Sequence, residues 1–95
     1  MTLLFEVEDR NGKLIRLTTE QWAHINKEHP DVSNWQELRD VLIRPTAIVS
    51  SDRDPVKVKW FYRLNKKEKL YLFVSVKYLN GEGFIITAYY TRKIK

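Results

Sequence analysis

Residues 57–91 read KVKWFYRLNKKEKLYLFVSVKYLNGEGFIITAYYT, and this stretch decides the fold. Three runs in it alternate with a period of two, the mark of a β-strand whose successive side chains point to opposite sides of the pleat. In 57–64, Val58, Trp60, Tyr62 and Leu64 share one side, and Lys57, Lys59, Phe61 and Arg63 the other. In 70–78, Leu70, Leu72, Val74 and Val76 oppose Tyr71, Phe73, Ser75 and Lys77. In 83–91, Phe84, Ile86, Ala88 and Tyr90 oppose Ile85, Thr87, Tyr89 and Thr91. Asn65-Lys66-Lys67-Glu68 supplies one turn. Asn80-Gly81 supplies another, a dipeptide suited to hairpin turns in which both central residues need positive φ. The reading is an antiparallel meander with one apolar face, expected to lie under helices. Its other face gathers Lys59, Phe61, Arg63, Tyr71, Ser75, Lys77, Thr87, Tyr89 and Thr91.

Working outward, 46–50 is short and β-branched and adds a fourth strand. Two short helices precede it. Thr18 and Gln21 have capping-box spacing, Leu17 and Trp22 occupy the positions of a hydrophobic staple, and Pro30 ends the helix near His29. Ser33 and Gln36 repeat the spacing, and Trp35, Leu38, Val41 and Leu42 hold a helical stripe as far as Pro45. Residues 5–17 form a hairpin about Asn11-Gly12, the dipeptide a two-residue type I′ turn prefers because both central residues need positive φ, although Leu3-Leu4-Phe5 blurs its inward face. The expected fold is α+β: an N-terminal hairpin and two short helices packed on a four-stranded antiparallel sheet.

Ninety-five residues make one domain, 1–95. With 43% hydrophobic and 31% charged residues, the composition is that of a globular protein. Cys is absent, which excludes disulfides, thiolate metal sites and a cysteine nucleophile. No apolar run approaches the ~20 residues of a membrane span. The first residues meet acid at Glu6, too early for a signal peptide. A cytoplasmic protein without a membrane partner is expected. No sequence feature sets an oligomeric state.

The formal charge of +5 is unevenly spread. Residues 60–95 hold eight basic and two acidic residues, whereas residues 1–59 hold nine and ten. A cationic second half points to a polyanion, RNA or DNA first. Cations, hydroxyls and aromatic rings on a rigid sheet suit a single strand, because they offer charge for phosphate and ring faces for bases. The plainer alternative is that polar residues alternate outward on any half-solvated sheet.

Both histidines lie on the first helix. His29 falls on the side of Trp22 and Ile25, at the last turn, where a histidine also serves as a simple cap. His24 falls between Glu20 and Glu28, one turn away on either side, so it is either a solvated ion-pair partner or a proton donor to phosphate. At about 100° per residue the two histidines diverge by about 140°, unlike the i, i+4 pair of a metal-binding helix. No metal or other cofactor is expected. Phosphate loops, a nucleophile elbow and a Walker lysine are missing, and neither helix has the basic face of a DNA-reading helix.

The stretch from Leu17 to Asp31, with its pattern W-x-H-I-x-x-x-H-P, is followed by Pro45–Val49, Tyr62-Arg63, Val76-Lys77-Tyr78 and the closing T-A-Y-x-T-x-x-I-K of 87–95. Together these resemble the small phage-associated members of the barnase/EndoU/colicin E5/colicin D/RelE-like (BECR) nuclease superfamily. The likeness spans nearly the whole chain in order. It implies a helical N-terminal part on a four-stranded antiparallel sheet and, as in some members, metal-independent RNA cleavage by the ribose 2′-hydroxyl, leaving a cyclic phosphate. Carried over by position, His24 and His29 match the motif's histidines, Arg63 and Lys77 its mid-sheet cations, and Thr87, Tyr89 and Thr91 its last-strand hydroxyls. The catalytic set so implied is His24, His29, Arg63, Lys77, Thr87 and Tyr89. Lys59, Phe61, Tyr71, Thr91 and Arg92 are the candidate RNA contacts. Because acids and bases vary among members of this group, no single catalytic residue transfers on the resemblance alone. Three readings follow: a small toxin-like ribonuclease with RNA as its partner, a non-catalytic RNA-binding module, or an interaction protein of the immunity or antitoxin kind. The toxin reading adds a cognate antitoxin or immunity protein as partner.

Overall fold

A computed structural model describes residues 2–95. The elements run β1 (Leu3–Glu8), β2 (Leu14–Thr18), α1 (Thr19–Glu28), α2 (Trp35–Ile43), β3 (Ala47–Ser50), β4 (Val58–Asn65), β5 (Leu70–Leu79) and β6 (Glu82–Thr91). Among the described residues no helix is long and apolar enough to cross a membrane.

The helix starts follow local chemistry. Thr18 Oγ1 accepts the Gln21 amide N–H at 3.1 Å, satisfying one of the free N–H groups that every helix start leaves. The reciprocal half of the capping box is not made: the Gln21 side chain instead donates to the Ile86 carbonyl of β6. At α2 the cap is Asn34, whose Oδ1 accepts the Gln36 N–H at 3.0 Å, and not Ser33.

The expected four-stranded antiparallel sheet is corrected to six strands in the order β1-β2-β6-β5-β4-β3, partly parallel. The N-terminal hairpin does not pack on the sheet but extends it. β2 pairs parallel with β6 through Ile15↔Gly83 and Arg16↔Phe84, and the other neighbours are antiparallel. Joining the sheet covers an edge of β6 that would otherwise present unpaired N–H and C=O groups. It also buries Ile15 and Leu17 completely. Gly83 makes the junction fit: a Cβ there would stand 2.9 Å from Ile15 Cγ1 and 3.0 Å from Val76 Cγ1. Past Arg16 the pairing stops, and α1 takes over the β6 edge.

Two strand phases also differ from the alternation read in the sequence. In β4 the residue facing the helices is Phe61, 1% exposed, paired with Val74. Antiparallel partners share a side, so Lys59 and Arg63 flank Phe61 on the helix side while Trp60 and Tyr62 take the open side. β4 is apolar on both sides at its centre, so alternation alone assigns no inward face; the register with β5 does. In β6 a bulge opposite Ser75/Val76 leaves Ile86 as an extra residue. The bulge re-phases the strand: Ile85 and Ala88 both enter the core, while Phe84 and Ile86 stay 38% and 39% exposed. A similar irregularity between Leu3 and Phe5 accounts for the blurred face of β1.

The core lies between the helices and one sheet face. Ile25 from α1 and Leu38, Val41 and Leu42 from α2 pack on Phe61, Leu72, Val74, Val76, Ile85 and Ala88, with Phe5, Ile15, Leu17 and Val32 closing the hairpin side.

Candidate functional site

The face turned away from the helices forms rows set by register. One row is Ala47, Tyr62, Phe73 and Tyr89, and the next holds Val49, Trp60, Ser75 and Thr87. Aromatic rings bridge these strands. Tyr89 stacks on Phe73 at 4.5 Å between centroids; Tyr62 and Trp60 meet Phe73 edge-on at 5.3 and 5.9 Å, and Tyr71 meets Tyr62 at 6.3 Å. Edge-to-face and offset geometries are those the ring quadrupoles favour.

α1 ends against this row. The His29 N–H donates to the Ile25 carbonyl at 2.8 Å, the His29 carbonyl accepts the Val32 N–H at 3.0 Å, and Asn26 Nδ2 donates to the Val32 carbonyl at 2.8 Å. The helix end is therefore held by three bonds. α1 lies against β6, the Gln21 side chain donating to the Ile86 carbonyl, so the residue capping its C-terminus reaches the open face: the His29 ring lies 5.3 Å from that of Tyr89. An imidazole thus joins the aromatic row at a fixed point.

The C-terminal residues fold back over the row. Thr91 Oγ1 donates to the Lys93 carbonyl at 3.5 Å, and the Lys95 N–H donates to the Tyr62 hydroxyl at 3.4 Å. Burial pushes the Tyr62 phenol up, partly offset by the bond from Lys95. Lys93 and Lys95 line a shallow cleft with Trp60, Tyr62, Phe73, Tyr89 and Thr91. Its volume is about 50 Å³, room for one or two waters rather than a base.

The residues singled out from the sequence divide between places. His29, Tyr71, Thr87, Tyr89 and Thr91 lie on or against the open face, and Arg92 is exposed on the segment leaving it. Lys77 is on that face too, but paired with Val58 and Phe84, about four residues or roughly 13 Å along the strand from the Tyr89 row. His24 does not join them: its side chain is 58% exposed, and Nε2 meets Glu28 Oε1 at 3.1 Å. Arg63, Lys59 and Phe61 are on the helix side. Arg63 donates to the Arg44 carbonyl at 2.7 Å, and Lys59 Nζ donates to Ser50 Oγ and the Pro55 carbonyl, each at 2.8 Å. Phe61 is core.

Sequence reasoning missed Lys93, Lys95, Trp60 and Tyr62 as members of the site. The two lysines continue the period-two phase of Thr87, Tyr89 and Thr91, a signal visible in the sequence. Nothing local marks Trp60 and Tyr62, because their side depends on the partner strand. No family model, curated protein or solved structure matches the chain.

Proposed function

We propose that this chain is a small metal-independent ribonuclease, acting in the cytoplasm, that lays single-stranded RNA across its open sheet face. The observation carrying the proposal is the His29 imidazole against Tyr89, in a row bordered by a cleft that Lys93 and Lys95 help to line. Transesterification needs a base for the 2′-hydroxyl, a proton for the departing 5′-oxygen and cations for the phosphorane. His29 takes the 2′-proton as the 2′-oxygen bonds to phosphorus. The P–O5′ bond breaks, the 5′-oxygen takes a proton from water, His29 later releases its own to solvent, and a 2′,3′-cyclic phosphate remains. Lys93 and Lys95 hold the phosphate charge, Tyr89 and Thr91 offer hydroxyls, and Trp60 and Tyr71 offer ring surface to bases. The BECR resemblance supports the same reaction, with His29 rather than His24 taking the role open to either histidine and the C-terminal lysines taking the cationic role expected of Arg63 and Lys77.

A second reading, a non-catalytic RNA-binding module, is favoured by one observation: Arg63 and Lys77 stand away from His29. Incubation of purified protein with total RNA in EDTA, followed by end-group analysis, separates the two. Cyclic-phosphate ends that disappear in His29→Ala and persist in His24→Ala support cleavage. Intact RNA at micromolar protein, with salt-dependent binding retained, refutes it and leaves the module.

A further inference from the structure

On the other side of the sheet, the cleft between the C-terminal end of α2 and β4 is lined by Arg39, Asp40, Ile43, Arg44 and Arg63. We infer that this cleft is a binding site for a phosphate-bearing anion. The inference stands apart from the ribonuclease reading, which uses the opposite face.

Three arginines line the cleft with one aspartate. A helix C-terminus favours a nearby cation, which accounts for one positive charge at the end of α2 but not for three. Arg16 shows the alternative, direct pairing with Glu6 Oε2 at 2.6 Å and Glu82 Oε2 at 3.0 Å. Among the described residues the ion pairs are these and His24 with Glu28, and none includes Arg39, Arg44 or Arg63. Among the same residues Arg10, Arg53 and Arg92, like the cleft arginines, join no ion pair, but they do not share one cleft. Glu37, in the adjoining groove, accepts the Tyr90 hydroxyl at 2.8 Å.

Arg63 is also held in place. Its Nη1 donates to the Arg44 carbonyl at 2.7 Å, which uses one of five N–H donors and leaves the others for a ligand. A planar guanidinium fork matches paired phosphate oxygens, and a fork fixed beforehand loses less freedom on binding. The cleft has a volume of about 440 Å³, within the range of small-ligand sites. Lys66 adjoins Arg63 in the neighbouring groove and adds charge along the same end of the sheet.

The test titrates pyrophosphate into the full chain while following arginine Nε–Hε signals by NMR, with sodium chloride at matched ionic strength as reference. Saturable shifts at Arg44 and Arg63 are expected, with affinity lowered about tenfold or more in Arg44→Glu. That substitution leaves the Arg44 carbonyl, and with it the Arg63 contact. Arg39→Gln provides a second variant should Arg44→Glu unfold. Shifts that fail to saturate and match those from chloride overturn the site. So do shifts of equal size and midpoint at all the arginine side chains, the mark of non-specific attraction. A labelled twelve-nucleotide oligouridylate identifies the source of the phosphate. Weaker binding and a shallower salt dependence in Arg44→Glu assign the cleft to a nucleic-acid backbone, while unchanged RNA affinity with lost pyrophosphate binding assigns it to a free polyphosphate.

Discussion

Replacing Gly83 with Ala tests the parallel junction between β2 and β6. The added Cβ would sit 2.9 Å from Ile15 Cγ1, 3.0 Å from Val76 Cγ1 and 3.1 Å from Tyr78 Cε1. Carbon atoms rest about 3.5–4.0 Å apart, so each neighbour must retreat by roughly half an ångström or more. Ile15 and Val76 are both 0% exposed, and neither has free volume to move into. Overpacking of this kind costs about 1–3 kcal/mol. Reduced freedom of the unfolded chain returns about 0.4–1 kcal/mol, leaving a net loss of about 1–2 kcal/mol. Urea unfolding should show a lower midpoint at unchanged slope. Thermal unfolding should fall by roughly 4–16 °C, given about 4–8 °C per kcal/mol for a domain of this size. In a Val76→Ala background the penalty should shrink, because one of the three clashing atoms is gone, and a double-mutant cycle reads that coupling. A neutral or stabilising Gly83→Ala, or strict additivity with Val76→Ala, would refute the packing described for this junction.

Lys69 holds a left-handed backbone, φ 56°, which costs a side-chain-bearing residue about 1–2 kcal/mol. Lys69→Gly should therefore stabilise by about 0.5–1 kcal/mol after glycine's entropy is charged against it; a lower urea midpoint would contradict the turn geometry. Burial, then the bond to Glu37, pushes the Tyr90 phenol from 10 up to about 12, and burial followed by Asp9 raises that of Tyr78 further. Between these values the folded state keeps a proton that the unfolded chain has lost. The stability from these phenols is thus complete below pH 10 and drains away as pH rises towards 12. Tyr90→Phe should flatten part of that alkaline loss in urea midpoints measured from pH 9 to 11, and an unchanged slope would contradict the assignment.

Much of the architecture was legible in the chain. The helices, the hairpin positions and the strand positions follow from periodicity and caps, which are local properties: Thr18 caps α1 as its spacing predicts, and Asn80-Gly81 turns with positive φ at both residues, whereas at Asn11-Gly12 only Gly12 has it and the expected turn type is not made. Of the site, Tyr89, Thr87, Thr91 and Tyr71 were read onto the correct face, because β5 and the second half of β6 keep their alternation. Arg63, Lys59 and Phe61 were read onto the wrong one. A period of two states that neighbours oppose each other; it does not state which side meets the core when both sides are apolar.

Sequence alone, then, determined what nearest neighbours along the chain can decide: element type, turn chemistry, the concentration of cations in residues 60–95, and the presence of an imidazole at the end of α1. Tertiary structure decided everything that depends on a partner far away in sequence. The pairing of β2 with β6 widened the sheet, the bulge at Ile86 exchanged its faces, and the register of β4 on β5 sent Arg63 away from Tyr89. The course of α1 along the β6 edge brought His29, and not His24, to the aromatic row. Those outcomes rest on hydrogen-bond register and close packing between distant segments, and no window of local sequence contains both halves of such a contact.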